Sequence, residues 1–308
     1  LEEFENNYVI KVSGLAGGKG VFLPNSKKEA CEVLDKIYND SIFGENNKTI
    51  IIEEKLYGEE VSLLGFCNGY EIDFMPQSQD FKRIYDNDLG SNTGGMGSIC
   101  PVNILNSEEL DEIKKYMTMI VKIFNYKGVL YAGIIKTKNG FKVLEFNCRF
   151  GDPEAQAILN LLDTDLYKIC IDCINSNKLN IKWKKGFVGN VVLSHESYPL
   201  NKSTELLPIE INKLDESIKL YWSNIINISN KNYTTGGRVC SMVKYSEKSL
   251  YDSLSTIYNN THKIIYDKIY YRRDIGIKYM IKPTSINRKM KIGIIGSTRG
   301  TSTQLLIY

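Results

Sequence analysis

The sequence predicts a mixed α+β protein in which short strands and helices alternate along the chain. Three observations support this prediction. The apolar, β-branched run Tyr8–Val12 predicts a strand near the start. Ser26 and Glu29 have the spacing of a capping box that opens a helix. Asn139-Gly140 between two apolar runs predicts a tight hairpin.

The other elements follow from the same patterns, taken in order. Strands are predicted at Val21–Leu23, Thr49–Glu53, Val61–Phe66, Tyr70–Phe74, Val129–Lys136, Phe141–Phe146, and near 188–195 and 236–244. Helices are predicted at 26–38, from Asn106 to about Phe124, at about 154–162 and 165–175, and near 247–262. Residues 77–101 form a polar, glycine-rich stretch. We expect it to be a ligand-binding loop, because long loops inside compact domains are usually functional.

Composition and charge argue against several classes of partner. The 308 residues can form two domains or one large one, and 43% hydrophobic with 24% charged residues is ordinary for a globular protein. A net charge of +3 gives no reason to expect nucleic acid or an anionic membrane as partner. No apolar run approaches the ~20 residues of a membrane-spanning helix.

The cysteines predict a reducing compartment. Their odd number, seven, and their scattered positions argue for free thiols and a cytoplasmic location. Cys170 and Cys173 form a C-x-x-C inside an apolar helical stretch, which favours packing over a redox or metal role. With only His195 and His262 available, a histidine-based zinc site is not expected.

A glycine-rich loop after the first strand is a candidate phosphate-binding loop. The run from Gly14 to Gly20 contains Gly17, Gly18 and Lys19, but its continuation into a strand does not fit a Walker-type loop. Such a loop between antiparallel strands can instead fold over a triphosphate, with backbone N–H groups and a lysine as ligands. Lys11 on the strand is a second candidate. A hairpin tip without a ligand is the alternative.

The run from Glu53 to Glu60 suits a nucleotide hinge. It has carboxylates at a strand end, then an apolar residue, then a Gly-Glu pair. Backbone groups there can contact an adenine edge while an acid accepts hydrogen bonds from ribose hydroxyls. The alternative is a set of solvated acids at a strand end.

The run from Glu145 to Glu154 predicts a metal and anion site. In a strand, Glu145 and Asn147 project to one face, and their oxygens are hard ligands suited to Mg²⁺. Arg149 follows as a planar donor for phosphate or carboxylate. The Gly-Asp-Pro-Glu turn then leads into a helix, with Pro153 near its first position. A strand with a merely polar edge is the alternative.

The polar stretch supplies candidate substrate ligands. Asp80, Lys82 and Arg83 could receive an amine and a phosphate. The Thr-Gly-Gly-Met-Gly run that begins at Thr93 offers backbone N–H groups to an anion. A surface loop is the alternative.

In this order and spacing, the motifs resemble glycinamide ribonucleotide synthetase (phosphoribosylamine–glycine ligase), an ATP-grasp enzyme of purine synthesis. The matching phrases are VIKVSGLAGGKGV, IIIEEKLYGEEVS, SQDFKRIYDNDLGSNTGGMGS, LYAGI, VLEFNCRFGDPEAQ, TTGGRV and RRDIGIKY, within residues 8–280. The resemblance implies an ATP-grasp domain of two α+β lobes clasping ATP at 1–180 and a small C-terminal α+β domain at 181–282. A linker and the start of an α/β formyltransferase-like domain are expected at 283–308.

The resemblance also implies a reaction and its residues. Glycine would be joined to 5-phosphoribosylamine through a glycyl phosphate, giving glycinamide ribonucleotide, ADP and phosphate, with ATP and Mg²⁺ or Mn²⁺ as cofactors. The implied ATP ligands are Lys11, Gly17, Gly18, Lys19, Glu53, Lys55, Leu56 and Glu60, and the implied metal ligands are Glu145 and Asn147. The implied substrate ligands are Asp80, Lys82, Arg83, Asn92, Thr93, Gly94, Arg149 and Asp152, with Lys19, Arg149 and Asp152 as catalytic residues.

The sequence departs from the family pattern in a few places. Phe81 stands where the family usually has His, which removes a polar group near the substrate, and Gly17 replaces a usual Ala. His195-Glu196-Ser197 replaces a run of small residues, so that part of the small lobe is expected to be rebuilt.

The ends of the sequence predict a fragment of a multifunctional protein. The family has an N-terminal domain before the glycine-loop strand, and we expect it to be missing here. The tail from Lys291 is similar to the opening of glycinamide ribonucleotide formyltransferase, with a strand, a glycine turn and a helix-like segment at Thr303–Tyr308.

Two alternatives stay open. Another ATP-grasp ligase, such as a biotin-carboxylase-like enzyme, shares the nucleotide and metal residues, although S-Q-D-F-K-R, N-T-G-G-M-G and R-F-G-D-P-E argue against it. The other is a remnant that binds ATP but, without the N-terminal domain, does not ligate.

Overall fold

We describe a computed structural model of the chain that covers residues 7–14, 20–44, 49–200 and 205–280, with the backbone of 293–296 and 303–306. The chain divides into two compact units, Leu1–Gly276 and Ile277–Tyr308. Among the described residues, no helix has both the length and the apolar character needed to cross a membrane.

The first unit begins with mostly β elements. In chain order these are β1 (Tyr8–Val12), β2 (Val21–Phe22), α1 (Lys27–Tyr38), β3 (Ile50–Glu54), β4 (Glu59–Asn68), β5 (Ile72–Phe74), β6 (Gln79–Asp80), β7 (Arg83–Tyr85), β8 (Leu89–Asn92), β9 (Gly97–Cys100), α2 (Ser107–Phe124), β10 (Lys127–Thr137) and β11 (Gly140–Asn147). It continues with α3 (Glu154–Ile158), α4 (Leu166–Ile174), β12 (Phe187–His195), β13 (Leu207–Pro208), β14 (Glu210–Ile211), β15 (Ile218–Trp222), β16 (Ile225–Ile228), β17 (Lys231–Thr234), β18 (Arg238–Ser246), α5 (Leu250–Tyr258), β19 (Ile264–Ile265) and β20 (Ile269–Tyr270).

The two long early helices begin at the predicted caps. The Ser26 hydroxyl accepts a hydrogen bond from the Glu29 N–H at 3.2 Å, and α1 begins at the next residue. At α2, Asn106 and Glu109 exchange both bonds of a capping box, at 2.9 and 3.1 Å. Each such cap stabilises its helix by about 1 kcal/mol, and both helices end where the sequence predicts.

A three-stranded sheet, in the order β2-β1-β3, packs on α1. Alternation along β1 buries Tyr8 and Ile10 against Ala30 and Ile37 of the helix. Lys11 follows Ile10, so it projects from the opposite face of the strand and is only partly buried. This small sheet presents Lys11 outside its own core.

A four-stranded antiparallel sheet, in the order β11-β10-β4-β5, holds the predicted metal residues. The hairpin β10–β11 turns at Gly140, whose φ of 102° explains the glycine in the predicted Asn-Gly turn. In its register Gly133 lies opposite Glu145, and Tyr131 lies opposite Asn147. A Cβ at Gly133 would lie 3.3 Å from Glu145 Cγ, so the small residue leaves room for that side chain.

A six-stranded sheet joins the polar stretch to the later part of the unit. Its order is β15-β18-β12-β9-β6, with β20 also paired to β12. The sheet runs across the predicted boundary at residue 180, and that boundary stays a prediction. In this sheet β9 pairs with the later strand β12, and β6 pairs with β9.

The prediction that residues 77–101 form a loop is wrong, because β6 to β9 lie there. Several polar side chains in this stretch are buried, which hides the usual strand pattern. The buried Ser98 hydroxyl, for example, donates to the Pro153 carbonyl at 2.8 Å, and Asn190 donates to the same carbonyl at 3.0 Å.

Other boundaries differ in detail. The helix predicted at 154–162 ends at Ile158, and the one predicted at 247–262 is α5 followed by a 3₁₀ turn at Thr261–Lys263. The strands between residues 207 and 234 are two to five residues long and were not predicted from the sequence.

The second unit contains α6 (Ile277–Met280), β21 (Gly293–Gly296) and β22 (Thr303–Leu306). β21 and β22 pair antiparallel, with Ile294 opposite Leu305. The prediction of a helix-like segment at Thr303–Tyr308 is therefore wrong for Thr303–Leu306, which form a strand. The predicted domain end at 282 lies outside the described residues.

Candidate active site

Lys11 connects the small sheet to the strand that carries the metal candidates. Its ammonium donates to the Leu144 carbonyl at 2.9 Å and pairs with Glu53 Oε2 at 2.5 Å. Two predicted ATP ligands, Lys11 and Glu53, are thus in contact beside β11. Gly17, Gly18 and Lys19 lie outside the described residues.

The backbone of the predicted hinge is partly engaged within the protein. The Lys55 N–H donates to the Asn7 carbonyl at 3.0 Å, and the Lys55 carbonyl accepts from Asn7 Nδ2 at 3.3 Å. The Lys55 ammonium lies 5.7 Å from the centre of the Tyr57 ring. A contact between adenine and Lys55 or Leu56 stays a prediction.

Glu60, a predicted ATP ligand, and Lys82, a predicted substrate ligand, form an ion pair. The Lys82 ammonium lies 2.6 Å from Glu60 Oε2. Burial opposes the charged form of Lys82, but the carboxylates of Glu60 and Asp80 outweigh it and raise the pKa of the lysine. Lys82 is therefore a cation throughout the neutral range, and the field of Glu145 also contributes to its pKa.

Glu145 and Asn147 are neighbours on one face of β11, as the sequence predicts. Asn147 Nδ2 donates to Glu145 Oε1 at 3.1 Å, which fixes the two side chains side by side. No cluster of three or more His, Cys, Asp or Glu suited to a metal lies in the part of the chain that the structure describes. Two oxygen-bearing side chains fit Mg²⁺, which takes its other ligands from water and substrate phosphates.

Arg149 and Asn92 are exposed, and Arg83 is half-buried and lies opposite Asn92 where β7 pairs with β8. Arg149 Nη1 donates to the Phe150 carbonyl at 2.7 Å, and Arg83 Nη1 donates to the Gly90 carbonyl at 2.7 Å. Each guanidinium has further donors, and Arg prefers planar two-point contacts with phosphate or carboxylate.

The backbone after Asn92 is folded onto the residues before it. Thr93 bonds to the Lys82 carbonyl through both its N–H and its hydroxyl, each at 2.8 Å. The Gly95 N–H donates to the Thr93 hydroxyl at 2.9 Å, and the Met96 N–H donates to the Phe81 carbonyl at 2.8 Å. These donors are used within the protein, so the geometry does not support the predicted backbone cradle for an anion.

Asp80 lies beside a buried acid that the sequence reading did not assign. Glu154 is 2% exposed and accepts from the Tyr131 hydroxyl at 2.7 Å and the Ser62 hydroxyl at 3.3 Å. Burial first, and then the Glu154 charge, raise the pKa of Asp80 well above its usual range. A Cβ at Gly151 would lie 2.6 Å from the Glu154 carboxylate, which explains the glycine of the Gly-Asp-Pro-Glu turn.

Arg238, at the start of β18, contacts two predicted substrate ligands at once. Its Nη1 donates to the Gly94 carbonyl at 2.7 Å and the Asp152 carbonyl at 3.0 Å, and its Nη2 lies 3.0 Å from Asp152 Oδ2. The Tyr198 hydroxyl accepts from the Gly94 N–H at 2.8 Å. Tyr198 lies directly after the segment expected to be rebuilt, and it reaches the site.

Arg272 is a fully buried arginine beneath the polar stretch. It pairs with Asp274 at 2.7 Å and Asp88 at 2.8 Å, and its guanidinium lies 5.3 Å from the centre of the Phe81 ring. Phe81 is only 7% exposed, so its ring is buried and packs against the Arg272 cation.

The sequence held a signal for both arginines. Each belongs to a phrase of the family resemblance, Thr-Thr-Gly-Gly-Arg-Val for Arg238 and Arg-Arg-Asp-Ile-Gly for Arg272. A phrase does not reveal which distant residues a side chain contacts, and both contacts span more than a hundred residues of sequence.

Comparison with known families decides the class of protein. The model of the phosphoribosylglycinamide synthetase ATP-grasp (A) domain matches residues 1–155, and the model of the C domain of the same synthetase matches residues 188–278. The chain belongs to the phosphoribosylglycinamide synthetase family. The fold predicted from the sequence, an ATP-grasp α+β fold, is thereby confirmed.

Named relatives of this synthetase-family chain include single and fused proteins. It is 39% identical to a phosphoribosylamine–glycine ligase of Caldanaerobacter subterraneus, over 91% of this chain and 68% of that protein. It is also 39% identical to the trifunctional purine biosynthetic protein adenosine-3 of Chironomus tentans, over 89% of this chain. The chain spans 21% of that protein and 38% of a bifunctional relative from Dictyostelium discoideum.

A solved structure gives the same assignment. The synthetase-family chain superposes on a phosphoribosylamine–glycine ligase of Thermotoga maritima with a TM-score of 0.76 and 30% identity, covering 89% of this chain and 70% of that one. A biotin carboxylase domain of Hydrogenobacter thermophilus 2-oxoglutarate carboxylase gives a TM-score of 0.66 at 14% identity, covering 88% and 59%. That second likeness concerns the fold alone.

Proposed function

We propose that the chain carries out the ATP-dependent ligation of glycine to 5-phosphoribosylamine in purine biosynthesis. The products are glycinamide ribonucleotide, ADP and phosphate. Family membership supports this proposal, as does the 39% identity to a protein named as that ligase.

One structural observation favours it most: candidate nucleotide, metal and substrate residues converge beside β11. Lys11 is bonded to the carbonyl of Leu144, the residue before Glu145. Lys82 is paired with Glu60 and lies within the field of Glu145. Lys11 therefore contacts the strand of the predicted metal pair, and the charge of Glu145 acts on Lys82.

This arrangement suits formation of an acyl phosphate, which depends on positioning and charge neutralisation and needs no side-chain nucleophile. The glycine carboxylate oxygen attacks the γ-phosphorus and ADP leaves. The amine nitrogen of phosphoribosylamine then attacks the acyl carbon, loses a proton and expels phosphate. In this scheme Lys11 and Lys19 neutralise phosphate charge, and Arg149 and Lys82 hold the anionic substrate groups.

Glu145 and Asn147 would hold the metal. A Mg²⁺ bound there would neutralise negative charge on the phosphates. Glu145 and Asn147 are held in place by their mutual hydrogen bond and by the pairing of β11 with β10.

The proposal is tested by ADP release from the purified chain, with glycine and phosphoribosylamine omitted in turn. We expect rapid ADP formation only when both are present. ATP binding without turnover would instead support a remnant that binds nucleotide only. ADP formation with bicarbonate, and none with the two proposed substrates, would support a carboxylase-like ligase.

The double variant Glu145→Gln, Asn147→Ala tests the metal site. Since a metal stabilises transition-state charge by several kcal/mol, we expect Mg²⁺-dependent turnover to fall by at least ~100-fold. Steady-state ADP release measures this effect. Glu216→Gln, an exposed acid far along the chain, is the matched control, and activity in the double variant equal to that of the control would remove the metal assignment.

We also propose a cytoplasmic protein fused to a later enzyme of the same pathway. The seven free cysteines support a reducing compartment. The bifunctional and trifunctional names of the relatives support a fusion.

A further inference from the structure

Arg238 connects three separate segments of the candidate site. It extends from β18 to the carbonyl of Gly94, to the carbonyl of Asp152 and to the carboxylate of Asp152. Gly94 belongs to the segment after β8, and Asp152 belongs to the turn after β11. One guanidinium thus fixes the distance between the polar stretch and the Arg-Phe-Gly-Asp turn.

The contact is specific to an arginine. Nη1 of the guanidinium donates to the Gly94 carbonyl and Nη2 donates to the Asp152 carboxylate. The single ammonium of a lysine cannot reproduce this planar pair of donors. The Arg238 side chain is 20% exposed and the Asp152 side chain is 54% exposed, so the guanidinium is the better shielded member of the pair.

Gly94 is enclosed by this contact from two sides. A Cβ at Gly94 would lie 3.1 Å from the Tyr198 hydroxyl and 3.2 Å from Arg238 Cζ. Both partners come from the part of the chain after residue 180. The backbone at Gly94 is therefore fixed by Tyr198 through its N–H and by Arg238 through its carbonyl.

Asp152 is held at both carboxylate oxygens. Arg238 Nη2 donates to Oδ2 at 3.0 Å, and Gln156 Nε2 donates to Oδ1 at 2.9 Å. The Asp152 carboxylate is therefore held in one orientation between Arg238 and Gln156.

We propose that Arg238 is a positioning residue for ligation: it holds the Gly94 segment against the Asp152 turn. This inference rests on the proposed function. Thr93 ties the Gly94 segment to Lys82, and a Cβ at Gly95 would collide with Asp80 and Pro153, so the clamp also fixes the two predicted substrate ligands Asp80 and Lys82. Without it, ATP still binds, but glycine and phosphoribosylamine are misplaced.

The test compares Arg238→Met and Arg238→Lys with the control Lys244→Met. Lys244 is a partly buried cation on the same strand that bonds to Ser217, away from the site. Because a displacement of about 1 Å can reduce a rate ~100-fold, we expect Arg238→Met to lower kcat by ~10- to 100-fold with an unchanged KM for ATP. Arg238→Lys should recover little of this loss, and Lys244→Met should match the wild type.

Hydrogen exchange of the peptide covering residues 92–97 is a second readout that does not depend on activity. We expect faster exchange there in Arg238→Met and no change in Lys244→Met. Unchanged ligation in Arg238→Met would overturn the proposal whatever the exchange result. So would a loss of activity that came only from a higher KM for ATP.

The two proposals can fail separately. If the wild-type chain forms no ADP with both substrates, the proposed function fails, and Arg238 is judged by exchange alone. Faster exchange at 92–97 in Arg238→Met then supports the clamp, and unchanged exchange overturns it.

Discussion

At the scale of single residues, Asp80 is an acid held where its charge is unfavourable. Its Oδ1 is buried without a hydrogen-bond partner among the described residues. Burial and the neighbouring Glu154 raise its pKa, and the Lys82 charge opposes this only in part. An acid kept under such conditions at a candidate site is more easily explained by function than by stability.

Replacing Asp80 with Asn should stabilise the fold at neutral and alkaline pH. A carboxyl whose folded pKa lies above its unfolded value contributes its full stability below the unfolded pKa, ~3.9, and loses it as the pH rises through the folded pKa. The gain from Asp80→Asn should therefore be small near pH 4.5 and larger at pH 8, while ligation falls. Urea unfolding at the two pH values measures the difference.

Asp215 provides a control of opposite sign. Hydrogen bonds from the Ser217 hydroxyl and N–H lower the pKa of Asp215. Its contribution is present above the unfolded pKa and lost as the pH falls through the folded one. Asp215→Asn should then slightly destabilise the protein at pH 8. A gain from Asp80→Asn that is equal at both pH values would contradict the account of Asp80.

At the scale of elements, the hairpin β7–β8 is held at its turn by Arg272 and Asp274. Its turn contains two left-handed residues, Asn87 at φ 59° and Asp88 at φ 54°, a conformation that other contacts must maintain. Asp274 accepts from the Asn87 N–H at 2.8 Å, and Asp88 accepts from Arg272. The anchor thus sets the turn between Arg83 and Asn92, both predicted substrate ligands.

Arg272→Met should destabilise the protein and loosen this hairpin. Removing one member of a buried ion pair costs about 3–5 kcal/mol because the partner charge is left uncompensated. The loss should be nearer the lower end, since Asp88 is largely exposed and only Asp274 is well shielded. Thermal unfolding measures the stability, and chymotrypsin cleavage at the exposed Tyr85 and Leu89 measures the opening of the hairpin.

Arg273→Met is the matched control for the hairpin anchor. Its side chain is exposed, and its contact with Asp86 runs through the backbone N–H, which the substitution keeps. Equal cleavage in the two variants would show that Arg272 does not anchor the hairpin.

The elements also show what the sequence could and could not predict. Capping boxes and the Asn-Gly turn are local, so α1, α2 and the β10–β11 hairpin lie close to their predicted positions. The pair Glu145 and Asn147 depends only on strand alternation and is placed side by side as predicted. Contacts such as Arg238 with Gly94 depend on chain topology, which no local pattern contains.

At the scale of the whole first unit, one core crosses the predicted boundary at residue 180. β12 pairs with β9 on one side and β18 on the other, and Val188 lies opposite Cys100. Val188 and Val243 belong to the same buried cluster as Leu64 and Ile158. The predicted domains divide the chain at residue 180, and the two family models divide it between residues 155 and 188. The buried cluster is nevertheless continuous across this division.

This continuity predicts that the two halves do not fold apart. A fragment of residues 181–276 would expose the β12 edge that β9 covers and leave the buried Asn190 without Ser98 and the Pro153 carbonyl. An unpaired buried polar group costs about 1–3 kcal/mol, and the lost apolar contacts add to this. We expect residues 1–276 to unfold in one cooperative transition by near-ultraviolet circular dichroism. Residues 1–180 and 181–276, purified separately, should show none. A sharp transition in 181–276 alone would instead establish the predicted boundary as that of an independently folding domain.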